Sequence, residues 1–299
     1  MLKNKKITYI IIIFLIIILI IISNKYANKN ISLSEETIYS NKIPKSFDNY
    51  KILQLSDLHS EEFGKDNFKL IEKINHINPD VIMITGDMFS SSEMEDKNMD
   101  ETILPSFSLI KNLSKSYKII YVTGNHEEGV DVTFNNADYK KRDRNSDNSY
   151  NRYINKLKSM GVIFVDNTYT QLTKGSDSID VYGIYYYTAE QINSNYYLKY
   201  NPINKDNFNI ILCHDPKYFE TLADNGFDLV LSGHIHGGII RIPFLGGLLS
   251  PDIAFFPKYD KGLYSYGTSY LNVSSGLGNN RLFRINNPPQ INLITLKVG

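Results

Sequence analysis

Cysteine is nearly absent from this chain: Cys213 stands alone, which excludes an internal disulfide and any cysteine-rich zinc module. It precedes His214 inside an apolar run, so a packed, unreactive thiol is expected there. An excess of either charge is also missing. Lys+Arg and Asp+Glu stand at 32 each, and without a basic excess a nucleic-acid partner gripped by its phosphates is not expected. No internal repeat is present, and no domain boundary is visible after Asp48. What the chain does have is enough apolar residues, 42% of 299, to bury a large α/β core.

Long hydrophobic runs are scarce too, with one exception. Ile7–Ile22 is almost purely apolar and follows Lys3, Lys5 and Lys6. At a helical rise of about 1.5 Å this run falls a little short of a bilayer core of about 30 Å, a deficit that flanking lysines can cover by snorkelling. No small-x-small cleavage site and no lipobox cysteine follow it. The reading is an uncleaved single-pass transmembrane helix over residues 7–23. The cytoplasmic N-terminus is then 1–6, the polar tether to the domain 24–48, and the catalytic domain 49–299, on the extracytoplasmic side of the cell membrane.

From Lys51 onward the pattern is strand, helix, strand, helix, strand, the order of a parallel sheet with helices packed on it. Strands are predicted at 51–56, 81–85, 118–123, 161–165, 179–185, 208–213 and 228–231. Helices are predicted at 67–78, 103–113, 150–160 and from Pro216 to Ala223. The last three β-rich runs, 262–266, 270–274 and 291–297, look like a second, more antiparallel sheet. A polar, locally basic stretch between Asn135 and Asn151 reads as a solvated insertion, a cap contacting substrate being the other use. Tyr185-Tyr186-Tyr187 reads as rim packing, with stacking on a ligand the other use.

Five of the six histidines fall at or just after the end of an apolar β-like run, whereas His76 lies on a helix surface. Asp57, His59, Asp87, Asn125, His214, His234 and His236 come from five separate strand ends and offer only oxygen or nitrogen donors. Seven ligands exceed one tetrahedral zinc but suit two divalent ions that share a carboxylate. Such donors accept Mn²⁺, Fe, Co²⁺ or Zn²⁺ alike.

The series D-x-H (Asp57, His59), G-D (Asp87), G-N-H-E (Asn125 to Glu127), H (His214) and G-H-x-H (His234, His236) resembles the calcineurin-like metallophosphoesterase family. The resemblance implies an α/β fold with two mixed β-sheets packed as a sandwich and flanked by helices. It implies that Asp57, His59 and His236 hold one metal, that Asn125, His214 and His234 hold the other, and that Asp87 bridges them. His126 would be a catalytic group beside the ligands, bonding the phosphoryl oxygen or protonating the leaving group. The expected reaction is hydrolysis of a phosphomonoester or phosphodiester by a hydroxide shared between the two ions. The family often carries Asp where Glu127 stands, and many relatives carry Gln where Ile239 stands.

Residues 237–244 and 252–264 are similar to the membrane-linked branch of that family, which includes UDP-2,3-diacylglucosamine pyrophosphohydrolase-like phosphodiesterases. A lipid-linked or envelope phosphoester is therefore the expected substrate. Pro243–Leu249, with Phe255-Phe256, is read as a core segment bracing the histidine loop, a lipid-facing groove being the other possibility. A catalytically silent, membrane-tethered binding or sensory module of the same fold is the alternative function.

Overall fold

The structure is a computed structural model, and it describes residues 2–28, 30–96, 98–129, 148–186, 196–251, 253–278 and 284–299. Most of the polar insertion between Asn135 and Asn151 lies outside the described residues, as does Tyr187.

Two six-stranded sheets face each other. The first contains β1 (Ser32–Ser40), β2 (Tyr50–Leu55), β3 (Val81–Ile84), β4 (Ile119–Tyr121), β5 (Ile163–Phe164) and β14 (Gln290–Val298), in the order β1-β14-β2-β3-β4-β5. The second contains β6 (Thr168–Lys174), β7 (Asp177–Ile184), β8 (Asn209–Cys213), β9 (Leu229–Ser232), β12 (Gly262–Tyr266) and β13 (Ser269–Val273), in the order β12-β13-β9-β8-β7-β6. Both are mixed, since β14 runs antiparallel to β2, β6 to β7 and β12 to β13 within otherwise parallel ladders. A small hairpin of β10 (Arg241–Ile242) and β11 (Gly246–Gly247) stands apart.

The period-two alternation of the strands decides the layers. Ile52, Met83, Ile210 and Leu212 point into the core between the sheets, whereas Leu53, Ile82 and Ile84 point outward against α2 (Phe68–Ile77), α3 (Pro105–Leu113) and α4 (Ser149–Ser159). On the opposite outer face Ile211, Cys213 and Val230 meet α5 (Tyr196–Tyr200) and α6 (Phe219–Asn225). Cys213 is the packed thiol expected: its Sγ lies 3.4 Å from the Asp215 carbonyl, and burial pushes its pKa well above the usual thiol range. His76 is exposed on α2.

Two expectations need correcting. Residues 32–40, inside the stretch read as a tether, form β1, in parallel register with β14 along its whole length. Its Ser, Glu and Thr content hides it from hydrophobic patterning, and such polar residues suit an edge strand. The C-terminal strand also does not belong with β12 and β13, because β14 inserts between β1 and β2 of the first sheet. It is buried on both faces, with Ile291 on the outer core and Ile294 and Leu296 in the inner one.

Leu2–Ala27 forms a single helix, α1. Among the described residues no helix is long and apolar enough to cross a membrane, so the structure does not support the transmembrane reading of residues 7–23.

Candidate metal centre

Parallel strands deliver their carboxyl ends to one edge of a sheet, and ligand sites form there. β2, β3 and β4 are mutually parallel, as are β8 and β9, and their five exits meet across the sandwich. The exits are stitched together by backbone. Asp57 N–H donates to Gly86 O at 2.9 Å, His59 N–H to Asp87 O at 3.0 Å, and Gly233 N–H to His214 O at 2.9 Å. His234 N–H crosses between the sheets to both oxygens of Asp57, at 3.0 and 3.2 Å. The approach is close enough that a β-carbon on Gly233 would collide with Ser56 Oγ and Asp57.

Asp57, His59, Asp87, His234 and His236 themselves lie at positive φ, between 44° and 67°. Left-handed backbone costs of order 1–3 kcal/mol per non-glycine residue and persists where surrounding structure imposes it. Here it turns each side chain back over the end of its strand.

The expected donors are buried, and they group. Asp57, His59 and His236 lie together, as do His59, Asp87 and His126, and as do Asp87, His214 and His234, the donor atoms in each group within 4.8 Å of one another. Asp87 belongs to two of the three. Its Oδ2 is 3.1 Å from His214 Nε2, 3.7 Å from His59 Nε2 and 3.9 Å from His126 Nε2. His236 Nε2 lies 3.6 Å from Asp57 Oδ1. Asn125 is buried on the same turn as His126.

Chemistry tests whether this donor set fits metal ions. His59 Nε2 and His236 Nε2 face each other at 3.2 Å, while the Nδ1 atom of each ring is buried without a hydrogen-bond partner among the described residues. Converging nitrogens held out of water, beside two carboxylates, are costly unless a cation satisfies them. Burial, and then the neighbouring His126, hold the His59 pKa well below the usual imidazole range, which keeps a lone pair available. Burial acts to raise the Asp87 pKa, but His214, His126 and His59 outweigh it and hold the carboxyl well below its ordinary value. The residues fit divalent metal binding, and Asp87 belongs to two of the three donor groups.

Around this cluster lie groups that donor counting missed. Thr85 O accepts from His214 Nδ1 at 2.5 Å, which turns the other nitrogen toward Asp87. Ser91 N–H donates to His126 Nδ1 at 3.1 Å, so in the neutral ring the proton sits on Nε2, the atom facing Asp87. Gln54, fully buried between the sheets, donates to Ser232 O at 2.9 Å and accepts from Asn272 Nδ2 at 2.7 Å. Its trace in the sequence is one polar residue inside an apolar strand. Arg284, also buried, ties carbonyls of Ser275, Gly276, Gly278 and Asn287 together behind the Asp57 turn. The Tyr186 ring is 5.4 Å from His234 and 6.2 Å from His214, at the rim as expected.

Comparison with known proteins bears on this geometry. The chain is 29% identical over 270 residues to the metallophosphoesterase YkuE of Bacillus subtilis, covering 89% of this chain and 86% of that protein. It is 26% identical over 295 residues to the UDP-2,3-diacylglucosamine pyrophosphatase LpxG of Chlamydia muridarum, covering 84% and 85%. It is 26% identical over 253 residues to the phosphodiesterase YaeI of Escherichia coli, covering 83% and 82%. The family model described as calcineurin-like phosphoesterase matches residues 50–238, the span that runs from β2 to the glycines after His236. With a buried Asp and His cluster at five strand exits, this chain belongs to the calcineurin-like phosphoesterase family and is a metal-dependent phosphoric ester hydrolase.

Proposed function

We propose that the protein hydrolyses a phosphoester carried by a lipid-linked or envelope molecule, at a membrane surface and outside the cytoplasm. The observation carrying the chemistry is the meeting of the donor groups at Asp87. Asp57, His59 and His236 would hold one divalent ion and Asn125, His214 and His234 the other, with Asp87 touching both. Bound there, two divalent ions would supply positive charge for the phosphoryl oxygens and lower the pKa of a shared water.

The chain's own groups supply the rest. His126 Nε2–H points into the site and can donate to a phosphoryl oxygen or to the departing alkoxide, because Ser91 N–H occupies Nδ1. Glu127 holds the turns bearing Asp87 and Asn125. Tyr186 offers an aromatic wall beside His234. Burial of the cluster strengthens each of these interactions relative to water.

The membrane part of the proposal rests on α1. Tyr9, Ile11, Ile12, Phe14, Leu15, Ile21 and Ile22 are exposed around this helix, and no charged residue stands between Lys6 and Lys25. A helix apolar on all sides is buried in protein or in lipid. The sequence similarity to LpxG, a protein named for a diacylated nucleotide-sugar substrate, supports a lipid-linked phosphoester.

The test is a screen of phosphomonoesters and phosphodiesters, phospholipids and nucleotide-sugars among them, with Mn²⁺, Fe²⁺, Co²⁺ or Zn²⁺ returned to metal-stripped protein. Metal-restored hydrolysis of a lipid-linked substrate is the expected result. Hydrolysis confined to soluble esters would overturn the substrate assignment. No hydrolysis with any metal, in protein shown to bind two equivalents, would overturn the catalytic one.

A further inference from the structure

Directly after the histidine loop the chain makes the β10–β11 hairpin, whose tip is Pro243-Phe244-Leu245. Contrary to the reading as a core segment, the tip stands in solvent: Phe244 is fully exposed and Leu245 is 67% exposed. The neighbouring loop, paired to the hairpin's exit through the Leu249–Phe255 bridge, exposes Ile253, Phe255 and Phe256. Ile285, bridged to Ile240, adds another exposed apolar side chain.

Three of these residues occupy backbone that disfavours them. Phe244, Ile253 and Phe256 have φ of 68°, 64° and 50°, where glycine or asparagine would be at ease. An exposed aromatic or β-branched residue at such a position costs folding stability and hydration alike. Neither cost is recovered among the described residues, which points to an apolar partner outside the chain.

The partner is indicated by what lies beside the patch. The end of α1 is bonded to the same loop: Asn24 Nδ2 and Asn28 Nδ2 donate to Arg284 O at 2.6 and 2.8 Å, and Asn286 N–H donates to Asn24 Oδ1 at 2.9 Å. The chain leaving the apolar helix therefore enters the domain at Ile285, the strand-like partner of the hairpin's first residues. At the hairpin base, Arg241 pairs with Asp260 at 2.9 Å, and Lys261 stands near Arg241 and Arg284 with one carboxylate among three cations. An exposed apolar tip beside the end of an apolar helix matches the apolar layer of a bilayer.

We propose that Phe244, Leu245, Ile253, Phe255 and Phe256 insert into the membrane interface as a second, domain-borne contact, separate from α1. The proposal rests on the reading of α1 as the membrane-attached segment. Its effect is orientation. Arg241 donates to Gly237 O at 2.8 Å, Asn287 to His236 O at 2.5 Å, and Gly238 packs on Gly247, so the hairpin and the metal-ligand loop move as one. A bilayer that seats the hairpin also fixes the angle at which the metal centre meets it.

Because Cys213 is buried, a single introduced cysteine can carry a label. Full-length Leu245→Cys and Phe255→Cys proteins, and Lys174→Cys at the turn joining β6 to β7 as control, are labelled with an environment-sensitive fluorophore. Each is reconstituted into phosphatidylcholine–phosphatidylglycerol vesicles with and without spin-labelled lipid. Flotation with the vesicles reports α1, and quenching reports the hairpin. The expected result is flotation of all three, with labels at 245 and 255 quenched several-fold more strongly than at 174. Flotation with equal quenching at all three positions overturns the hairpin contact and leaves the α1 reading standing. Loss of flotation overturns the α1 reading and this proposal with it.

Discussion

Glu127 holds Asp87 by its backbone: the buried carboxylate accepts Asp87 N–H at 2.8 Å, and also Met88 N–H at 2.8 Å, Gly124 N–H at 2.9 Å and the Tyr121 hydroxyl at 2.6 Å. One side chain thus clamps the exits of β3 and β4. Burial, and then repulsion from Asp87, push its pKa up to about 7, while the donors act in the other direction. Glu127→Gln has the same shape but turns an N–H₂ group toward donors. It should destabilise the domain by roughly 2–4 kcal/mol through unsatisfied buried N–H groups, read as a lower denaturant midpoint with unchanged slope.

His126 and Asp87 should separate by metal content. Asp87→Ala removes the carboxylate common to two donor groups, so the purified protein should lose bound metal and turnover together. His126→Ala should retain metal while kcat falls by about 10²–10⁴. A His126→Ala protein of normal rate, measured with full metal occupancy, would remove this residue from the reaction.

Stripping the metals should soften the domain as well as silence it. Ions that bind only the folded chain stabilise it by about 2.7 kcal/mol at a concentration 100-fold above Kd. Titrating Mn²⁺ or Zn²⁺ into chelator-treated protein should raise Tm progressively. The rise should be absent in Asp87→Ala.

Lys261 makes the pH prediction. Burial first, then Arg241 and Arg284, lower its pKa from 10.5 to about 8. Below pH 8 both folded and unfolded chains carry the proton, and the full cost of holding the ammonium inside is felt. Between about 8 and 10.5 the folded chain has released its proton and the unfolded chain has not, so this residue's destabilising effect fades as pH rises. Lys261→Met should therefore stabilise the protein at pH 7 by about 1–2 kcal/mol, allowing for the ammonium's partial solvation. Denaturation curves at pH 7 and pH 10 should show the gain shrinking.

Ile294 tests the place of β14. It is fully buried in the core between the sheets. Ile294→Ala should cost about 2–5 kcal/mol. A near-neutral effect would be incompatible with a central strand.

Local information in the sequence was enough to nominate candidate donors, and the fold brings Asp57, His59, Asp87, His214, His234 and His236 together. Asp57, His59, Asp87, Asn125, His214, His234 and His236 were identifiable because an apolar run ending in glycine or a polar donor marks a strand exit whatever the strand pairs with, and the motif order carried the family. The strand pattern also specified which residues face a core, since alternation is a property of the strand itself.

Pairing and closure belonged to the tertiary structure. β1 is invisible to local patterning because an edge strand can be polar, and the neighbours of β14 are not legible because its alternation says which faces are buried but not by what. The grip of Glu127 on Asp87, the proton placement on His126 and the exposed Phe244 depend on atoms distant in sequence meeting in space. No local pattern encodes such meetings, because hydrogen bonds and burial are set by the packed whole and not by the order of residues along the chain.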